Sequence, residues 1–374
     1  MTRPSTEVVL CVNTGSSSVK CAVYRINGDE EHLLDASSAD GTGAATLTTV
    51  LDTLRHLDDR LTAVSHRVVH GGPHHDRPTV IDPALVADLR AVAPLAPLHQ
   101  QAALEAIATF TDRYPRLPQV ACFDTAFHRT MPEVSWRLPL PRALADQGVR
   151  RYGFHGLSYE YIVTTLGAEQ LGRAVLAHLG SGASLVAVQN GESLDTTMGL
   201  TPAGGIVMAS RSGDLDPGVL VYLARELGYD PARLEQLVER EAGLLGLSGT
   251  SGDMRALLEC REAGDQAARI AIAVYCTRIG MQIGAYAARL GGLDTVVFTG
   301  GVGTHAPAVR TEACAGLEHL GVTIDAVRNA AGAPTISSES SSVAVRVLET
   351  DENVMLARHA RAALATQAGD VVVT

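Results

Sequence analysis

Short apolar runs separated by turns of small residues characterise the first half of the chain. Residues 7–13 (EVVLCVN) predict a buried strand and residues 19–26 (VKCAVYRI) predict its hairpin partner, because both runs are short and apolar. The turn between them, residues 14–18 (TGSSS), contains only small residues that can present successive backbone N–H groups. The same reasoning predicts further strands at 62–69 and 118–124 and helices at 83–92 and 99–113.

A second strand–turn–strand pattern begins at Ala174. Residues 178–188 (HLGSGASLVAV) align without a gap with residues 13–23 (NTGSSSVKCAV), which places Gly180 on Gly15. We interpret the shared pattern as an internal duplication that gives each half one phosphate-facing hairpin turn. A coincidence between two Gly/Ser turns is the alternative.

The rest of the chain alternates between helices and strands. A strand at 294–299 runs directly into a glycine-rich loop, Gly300–Gly303. Helices are predicted at 217–228, 231–242, 265–290 and 352–366, and another from about Pro307. Because the two kinds of element alternate, the fold class is α/β.

Composition and charge narrow the class of protein. A length of 374 residues suggests roughly two domains, and a net charge of -11 argues against nucleic acid or anionic membrane as the main partner. The six cysteines form no C-x-x-C pair, so we expect reduced thiols. We find neither a signal-peptide pattern nor a window of about 18 uninterrupted apolar residues. We therefore expect a cytoplasmic protein without a membrane span.

The single lysine of the chain stands beside the first small-residue turn. The 30 basic residues comprise Lys20 and 29 arginines. No G-x-x-x-x-G-K-[ST] segment occurs, so the phosphate-binding candidates are Gly300–Gly303 and the two hairpin turns, the first of which contains Ser16 and Ser18. A lysine ammonium acts on phosphate as a compact point charge. This favours a functional Lys20 over a merely solvated strand residue.

A histidine-rich segment, residues 64–75 (VSHRVVHGGPHH), surrounds an arginine in an apolar strand. A metal site built on His66–His75 is one interpretation, but H-E-x-x-H is absent and we give it the lesser weight. An arginine inside such a strand must find an anionic partner. For Arg67 that partner is either Asp124, which ends another apolar strand, or a ligand carboxylate or phosphate.

Two further segments combine charges with constrained turns. Residues 150–156 (RRYGFHG) set an aromatic residue next to a histidine between glycines, and residues 199–218 (GLTPAGGIVMASRSGDLDPG) contain one arginine and two aspartates among turn residues. Such a stretch is typical of a binding loop on a rigid scaffold, and a purely structural loop is the alternative. Residues 250–255 (TSGDMR) alone predict a helix N-cap.

Together these segments resemble the acetate kinase family. In that family's order and rough spacing, the chain contains NTGSSSVK, HRVVHGG, FDTAFH, RRYGFHG, HLGSG, TPAGGIVMASRSGDLDPG, SGDMR, FTGGVG and TDEN, so the resemblance covers residues 8–360. It implies an α/β fold with two duplicated RNase H-like (actin/hexokinase-type) domains and an interdomain active-site cleft. The expected domains are 1–149, with the C-terminal helix 354–374 packing back on it, and 150–353, which binds nucleotide and dimerises.

The resemblance implies a phosphotransferase with a carboxyl group as acceptor. It would transfer the γ-phosphoryl group of ATP to acetate directly, in line and reversibly, giving acetyl phosphate and ADP. The reaction would require Mg²⁺, for which Mn²⁺ could substitute. The expected partners are acetate, ATP or ADP and a second copy of the chain in a homodimer, with no nucleic acid and no membrane.

The resemblance also assigns roles residue by residue. Asn13 and Glu352 would lie at the metal site. Arg67 and Arg211 would flank the acetate and the phosphoryl group, His155 would hydrogen-bond that group, and Asp124 would be the acid/base residue. The acyl pocket would comprise Val69, Leu98, Phe154 and Pro202 beside Arg67. The ATP site would comprise Lys20, Ser16, Ser18, His178, Leu179, Gly180, Ser181, Gly182, Asp253, Met254, Arg255, Gly301, Val302, Gly303, Thr304 and His305.

The chemistry of the acceptor modifies one of these roles. Phosphoryl transfer depends mainly on positioning and on cations that stabilise the charge on the phosphoryl oxygens. A carboxylate with a solution pKa of about 4–5 is already ionised at neutral pH, so no general base is needed to activate it. We therefore expect Asp124 to orient Arg67 or the metal.

Some residues depart from the family pattern near the expected nucleotide. Ser181 stands where Asn is usual, and Thr304-His305 replace Glu-Asn, which leaves the phosphoryl donor open between ATP, GTP and pyrophosphate. Smaller departures are Gln100, Leu157-Ser158-Tyr159 and Asn353.

Three rival functions remain open. A kinase for propionate or another short-chain acid is the nearest, but the valine at position 69 favours the methyl group of acetate. A catalytically weak ATP-binding sensor of the same fold would have lost Arg67, Arg211 or Glu352, all of which are present. A metal hydrolase built on the histidine-rich segment is the third.

Overall fold

The computed structural model describes residues 7–15, 18–28, 30–41 and 43–370, without the side chains at 44, 98 and 368–370. The chain forms two compact units. The first unit contains the described residues up to Arg129, together with Phe154–Tyr161 and those from Asp351 onward, and the second contains Thr130–Gly153 and Ile162–Thr350. By packing, residues 130–149 lie in the second unit, and the domain boundaries read from the sequence stay a prediction.

The strands of the described residues are numbered in chain order. They are β1 (Glu7–Thr14), β2 (Ser18–Asn27), β3 (Glu30–Asp40), β4 (Ala63–Val68), β5 (Thr79–Val80), β6 (Gln119–Phe123), β7 (Arg173–Leu179), β8 (Ala183–Gln189), β9 (Glu192–Thr196), β10 (Thr295–Thr299) and β11 (Ala344–Val347).

The α-helices are numbered in the same way. They are α1 (Ala44–Leu54), α2 (Pro83–Ala91), α3 (Pro97–Arg113), α4 (Glu133–Trp136), α5 (Arg142–Asp146), α6 (Gly156–Leu166), α7 (Ala168–Leu171), α8 (Pro217–Glu226), α9 (Pro231–Gln236), α10 (Gly243–Ser248), α11 (Met254–Glu262), α12 (Gln266–Leu290), α13 (Gly300–His305), α14 (Pro307–Cys314), α15 (Ala326–Ala330) and α16 (Glu352–Asp370). Short 3₁₀ segments and one π-helical turn, Leu237–Glu241, complete the structure.

The first unit contains a six-stranded sheet in the order β3-β2-β1-β4-β6-β5. The strands β1, β2 and β3 form an antiparallel meander, and β4 and β6 lie parallel to β1 on its other side. The pattern predicted β1, β2, β4 and β6, and the structure confirms all four. Because β1, β4 and β6 are parallel, their carboxyl ends meet at one edge of the sheet.

The second unit contains a five-stranded sheet in the order β11-β10-β7-β8-β9. Again three strands form an antiparallel meander, β7, β8 and β9, and two strands lie parallel to the first of them. The three residues between β7 and β8 correspond to the three between β1 and β2, as the gap-free alignment requires. The two sheets therefore repeat one topology, while their common origin stays a prediction.

Aspartate followed by proline starts three of the helices. Asp82, Asp216 and Asp230 each cap a helix, α2, α8 and α9, by accepting a backbone N–H two or three residues further on. Proline suits the next position because its fixed φ is helical and its missing N–H would have had no partner in the helix. These local signals explain why the predicted starts of α2 and α8 agree with the structure.

The C-terminal helix α16 packs on one face of the first sheet. Alternate residues of β1 point to opposite faces, so Val9 and Cys11 join Met355 and Ala360 in one core cluster. The other face, which includes Leu10, packs against α1. Glu352, the first residue of α16, is thereby brought to the first sheet.

The 25-residue helix α12 is long and apolar enough, by length and composition alone, to cross a membrane. Its apolar stripe is buried within the second unit, including Ile272, Ile279 and Ile283. A buried stripe of this kind is typical of a core helix.

One predicted loop is wrong in detail. The glycine-rich segment after β10 is the start of helix α13, and the chain turns into the helix at once because Gly300 adopts a φ of 75°. A Cβ at Gly300 would lie 2.6 Å from the carbonyl oxygen of Leu179, so the close approach of β7 requires glycine here.

Candidate functional site

Arg67 and Asp124 form a partly buried ion pair at the carboxyl edge of the first sheet. Arg67 lies in β4 and Asp124 follows β6, the neighbouring parallel strand. The guanidinium donates to the Oδ2 atom of Asp124 from both Nε, at 2.9 Å, and Nη2, at 2.5 Å. The sequence had left the anionic partner of Arg67 open between Asp124 and a ligand, and the structure supplies Asp124.

Asn13 and Glu352 complete a polar cluster around this pair. The Nη1 atom of Arg67 donates to Asn13 Oδ1 at 3.1 Å and lies 3.5 Å from Glu352 Oε2. The Asn13 amide in turn donates to Glu352 Oε2 at 3.0 Å. We call Asn13, Arg67, Asp124 and Glu352 the Arg67 cluster. The parallel register and the packing of α16 bring together four residues that the sequence had singled out.

The donors of Arg67 are only partly used inside the cluster. A guanidinium has five N–H groups, and three of them make the hydrogen bonds to Asp124 and Asn13. The remaining two are on Nη1 and Nη2. The Arg67 side chain keeps 14% of its surface exposed, so these donors are available to an anion.

The cluster carries more carboxylate than cation. Burial raises the pKa of Asp124 to about 6 against the lowering effect of Arg67, and Glu352 adds to the rise. The pKa of Arg67 is raised despite its burial, because Asp124 and Glu352 favour the charged form. The guanidinium therefore stays charged between two acids. The Oδ1 atom of Asp124 is buried and has no hydrogen-bond partner among the described residues.

A hard divalent cation fits this arrangement. Such a cation would neutralise the excess negative charge of the cluster and bind the buried carboxylate oxygen that has no partner. The described part of the chain contains no group of three or more His, Cys, Asp or Glu residues that could hold a metal alone. Mg²⁺ suits such a site because it takes oxygen ligands from one or two carboxylates and shares the rest with water and substrate phosphates.

The backbone of Asp124 also fixes the segment that contains His155. The carbonyl of Asp124 accepts a hydrogen bond from Gly156 N at 2.9 Å. A Cβ at Gly156 would lie 2.2 Å from that oxygen, so no larger residue fits. His155, immediately before it, adopts a φ of 60°, which a side-chain-bearing residue rarely does. The structure thus holds His155 in a strained conformation beside Asp124.

Two members of the predicted acyl pocket, Val69 and Phe154, lie in the first unit and have described side chains. Both are buried, with 4% and 2% of their surface exposed. The side chain of Leu98 lies outside the described residues, and Pro202 belongs to the second unit, where it is buried. Whether these four form one pocket stays a prediction.

Gln100 holds the backbone beside Val69, a role that sequence reasoning missed. The fully buried Gln100 amide accepts from His70 N at 3.3 Å and donates to His70 O at 3.1 Å. His70 also makes an edge-on contact with the Phe154 ring, with 5.4 Å between centroids. The only signal was that Gln100 departs from the family pattern. The bonds show that Gln100 fixes the backbone of His70, the residue next to Val69.

The predicted nucleotide segments that belong to the second unit lie close together there. The turn between β7 and β8 closes with Gly180 N donating to Gly182 O, and Ser181 O accepts from Ala209 N at 3.1 Å. A Cβ at Gly252 would lie 2.6 Å from Ala209 O. The turn, the 199–218 loop, the start of α11 and α13 therefore lie side by side.

Arg211 lies in that loop and is buried, with 8% of its surface exposed. Its Nη1 atom is 3.4 Å from the carbonyl of Pro202. The loop turns back on itself through Met208 N, which donates to Arg211 O. Gly243 supports this turn from the outside, since a Cβ there would lie 2.3 Å from Met208 O.

The loop rests on the π-helical turn Leu237–Glu241, which the sequence did not predict. Ser212 N donates to Val238 O, and Ser210 Oγ donates to Glu239 O. The Glu239 side chain is buried, and burial raises its pKa while the nearby Arg211 charge lowers it. Arg211 therefore has an acidic neighbour, which no sequence signal indicated.

Both aspartates of the 199–218 loop serve its own structure. Asp214 Oδ1 accepts from Gly205 N at 2.8 Å, and Asp216 caps α8. Asp253 likewise caps α11 by accepting from Ala256 N, which is what the segment alone predicted. Met254 is buried, whereas Arg255 is exposed.

The remaining predicted residues lie around the two turns. Lys20 is exposed on β2 opposite Asn13, and the carbonyl of Ser18 accepts from Gly15 N at 2.8 Å. Ser16 lies outside the described residues. His178 is the penultimate residue of β7 and is in register with Ser184. In α13, Gly301 and His305 are exposed and Gly303 is buried.

The histidines of the 64–75 segment do not gather around a common point. His66 is hydrogen-bonded to Gln119 at 2.8 Å, and His75 is paired with Asp88 at 3.0 Å. Burial lowers the pKa of His66 to about 4, so it is neutral. The described residues thus give no support to a metal hydrolase.

The two sheets share one topology, each with a small-residue hairpin turn, and Arg67 and Arg211 have carboxylate neighbours. Small-residue turns and arginines of this kind suit an enzyme that transfers a phosphoryl group. Comparison with known proteins agrees. The model of the Acetokinase family matches residues 26–358. The acetate kinase of Rhodopseudomonas palustris is 43% identical, over 94% of this chain and 97% of that protein.

Two solved structures are also similar. The acetate kinase of Porphyromonas gingivalis has a TM-score of 0.82 and 35% identity, covering 96% of this chain and 100% of the other. A propionate kinase from Francisella tularensis has a TM-score of 0.84 and 32% identity, covering 94% and 98%. The chain belongs to the acetokinase family.

Proposed function

We propose that the protein transfers the γ-phosphoryl group of ATP to acetate and runs the reverse reaction with acetyl phosphate and ADP. An acetate oxygen forms a bond to the γ-phosphorus while the bond from that phosphorus to the β,γ-bridging oxygen breaks, so ADP leaves and no proton is transferred. The Arg67 cluster carries the proposal. It offers a partly buried cation with two spare N–H groups beside surplus carboxylate.

In this proposal the arginines bind the charges that move. Arg67 donates to the acetate carboxylate or to the phosphoryl oxygens, as the planar fork of arginine suits both. Arg211 is the second cation, and His155 donates to the phosphoryl group. Asp124 keeps the guanidinium of Arg67 in place and does not act as a base, because acetate is already ionised.

We propose Mg²⁺ as the divalent metal, with Mn²⁺ able to replace it. Asn13 Oδ1 and the Glu352 carboxylate would hold it. Asp124, a member of the same cluster, has a buried Oδ1 atom without a hydrogen-bond partner among the described residues. When bound, the metal neutralises charge on the nucleotide phosphates. With one arginine between two carboxylates, the cluster has a net charge of -1 before the metal binds.

The similarity to curated acetate kinases favours acetate over longer acids. One additional methylene is worth about 1–3 kcal/mol of discrimination in an apolar pocket, so propionate should be a poorer substrate and still be accepted. The likeness to a propionate kinase of solved structure keeps this acid as the second candidate. We propose ATP as the donor, and Ser181 and Thr304-His305 are the residues whose replacement would test its preference over GTP and pyrophosphate.

We also propose a cytoplasmic homodimer. Helix α8 exposes apolar side chains to solvent, with 53% of Val221 and 57% of Tyr222 accessible. Apolar exposure on one helix is typical of a protein–protein contact. Light scattering should give the mass of two chains, and Tyr222→Glu should give that of one.

ADP release with Mg-ATP and acetate, propionate or butyrate, with the acyl phosphate trapped as hydroxamate, tests the main proposal. Fast acetate-dependent turnover that is lost in Arg211→Ala would support it. Equal rates for acetate and butyrate would contradict the acyl preference. A lack of turnover with every acid, in a protein that still binds nucleotide, would contradict the reaction itself.

A further inference from the structure

Arg310 is the largest of the fully buried side chains, with 1% of its surface exposed. It lies in α14, a helix that contains none of the predicted site residues. Among the residues that the structure describes, no carboxylate lies within ion-pair distance of it. Burial lowers its pKa from the ordinary value. Burying a charged group without an opposite charge costs several kcal/mol unless hydrogen bonds compensate.

The compensation comes from carbonyl oxygens at the end of α13. The Nη1 atom of Arg310 donates to Gly303 O and to Thr304 O, both at 2.8 Å. The last carbonyls of a helix have no partner inside it. Arg310 satisfies two consecutive ones, and so it fixes where α13 ends.

Asn329 completes the arrangement from α15. Its Oδ1 atom accepts from Arg310 Nε at 2.7 Å and its backbone carbonyl accepts from Nη2 at 2.8 Å. Its amide nitrogen donates to Pro307 O and Thr311 Oγ1, both at 2.9 Å. Asn329 is itself buried, with 3% exposed. Four of the five N–H groups of Arg310 are thus used within the protein, and solvent does not reach the side chain.

The segment fixed in this way is one that the nucleotide is expected to contact. Helix α13 begins at Gly300, against the carbonyl of Leu179 at the end of β7, next to the second hairpin turn. At Gly301 a Cβ would meet no atom within 4 Å, so this side of the segment is open. A six-residue helix has little stability of its own. Its conformation therefore depends on contacts at both ends, with Leu179 at one and Arg310 at the other.

We propose that Arg310 and Asn329 form a buried brace that holds Gly300–His305 in the conformation that binds the nucleotide. They are positioning residues for ATP and ADP, and they have no effect on the acetate side of the reaction. The inference rests on the part of the proposed function that names ATP and ADP, and it does not depend on acetate as the acceptor.

The test measures nucleotide binding apart from turnover. Arg310→Met removes all four hydrogen bonds and leaves an unbranched apolar side chain that is about two atoms shorter. If the variant holds the binding conformation only about a tenth of the time, the dissociation constant of Mg-ADP should rise about tenfold by calorimetry. The KM for ATP should rise in parallel, and the KM for acetate should stay within about twofold. Arg310→Lys should recover part of the affinity.

Two further variants separate a brace from general loss of stability. Arg261→Met is the control. It removes a 2.5 Å ion pair between Arg261 in α11 and Glu312, which lies in α14 like Arg310, and it leaves the carbonyls of α13 untouched. This variant should bind Mg-ADP as tightly as the wild type. Asn329→Leu should weaken nucleotide binding as Arg310→Met does, and the double variant should weaken it no further. If Arg310→Met does not fold, Arg310→Lys and Asn329→Leu carry the test.

Unchanged affinity for Mg-ADP in the folded Arg310 and Asn329 variants would overturn the inference. An equal rise in the KM values for acetate and ATP would overturn it too, because that would indicate a general structural role. Wild-type protein that binds Mg-ADP but does not phosphorylate acetate would refute the proposed function only. The brace would still be judged by the calorimetry.

Discussion

Replacing Asp124 by asparagine tests whether this residue orients Arg67 or acts as a base. The change keeps the size of the side chain and an oxygen to accept from Arg67, but it removes the charge. The carboxylate now accepts two donors of the guanidinium on one oxygen, at 2.9 and 2.5 Å. Hydrogen bonds to a charged group contribute about 1.5–3 kcal/mol each, and breaking a buried ion pair costs about 3–5 kcal/mol.

Because asparagine keeps part of the bonding, we expect a loss of about 3–4 kcal/mol of transition-state stabilisation. That loss corresponds to a roughly hundred- to thousandfold lower kcat. The assay is acetyl phosphate formation, trapped as hydroxamate, at saturating acetate and Mg-ATP between pH 7 and 9. Since Asp124 has a pKa of about 6, its carboxyl is ionised throughout this range, and the ratio of wild-type to variant rates should stay constant.

Two outcomes would refute the reasoning. A variant with nearly the wild-type rate would mean that the charge of Asp124 does not hold Arg67. If the wild-type rate changed with pH between 7 and 9 as a single group titrated, and the variant's rate did not, Asp124 would be accepting a proton. Asp124→Ala serves as the comparison, and it should be slower still because it leaves the guanidinium with no acceptor at that position.

Three shorter predictions follow from the same structure. Val69→Ala should raise the ratio of kcat/KM for propionate to that for acetate by roughly tenfold, because it makes room for a methylene worth about 1–3 kcal/mol; an unchanged ratio would remove Val69 from the pocket. Chelation should abolish turnover, Mg²⁺ or Mn²⁺ should restore it, and Glu352→Gln should raise the half-saturating metal concentration about tenfold if this carboxylate holds the metal. Although burial favours neutral His359, its hydrogen bond to Glu160 and the neighbouring Cys122 raise its pKa to about 10. The stability that protonated His359 contributes is therefore complete below about pH 6.5 and is lost as the pH rises through 10. Urea unfolding at pH 6.5 and 9.5 measures this loss, and His359→Gln should reduce it; an equal loss in both proteins would contradict the assignment.

The sequence predicted those parts of the fold that depend on local pattern and strand order. The two hairpins were visible because apolar runs flank turns of small residues. Arg67 and Asp124 could be paired because Arg67 interrupts one apolar strand and Asp124 follows another. Parallel strands bring such positions together. Strand β3 was missed because it is an edge strand with mostly exposed residues, among them Glu30 and Leu33, and shows no apolar alternation.

What escaped prediction depends on contacts between distant segments. The π-helical turn at Leu237–Glu241 continues a helix whose apolar pattern looked regular, and its shape follows from the bonds it makes to Ser210 and Ser212. Gln100 is in an unremarkable helix, and only its two bonds to His70 show its role. Arg310 stands in the sequence PAVRTEAC, where an arginine predicts a solvated helix face.

The surroundings of Arg67 and Arg310 distinguish an arginine that binds a ligand from one that positions the backbone. An arginine that binds an anion must keep donors and some access, and Arg67 has two spare N–H groups and 14% exposure. Arg310 has one spare N–H group and 1% exposure, so it has almost nothing left to offer a ligand. Their neighbours differ accordingly, since two carboxylates hold Arg67 charged while carbonyl oxygens alone surround Arg310. Loss of Arg67 should therefore weaken the stabilisation of the transferred group itself, whereas loss of Arg310 should act only through the shape of Gly300–His305.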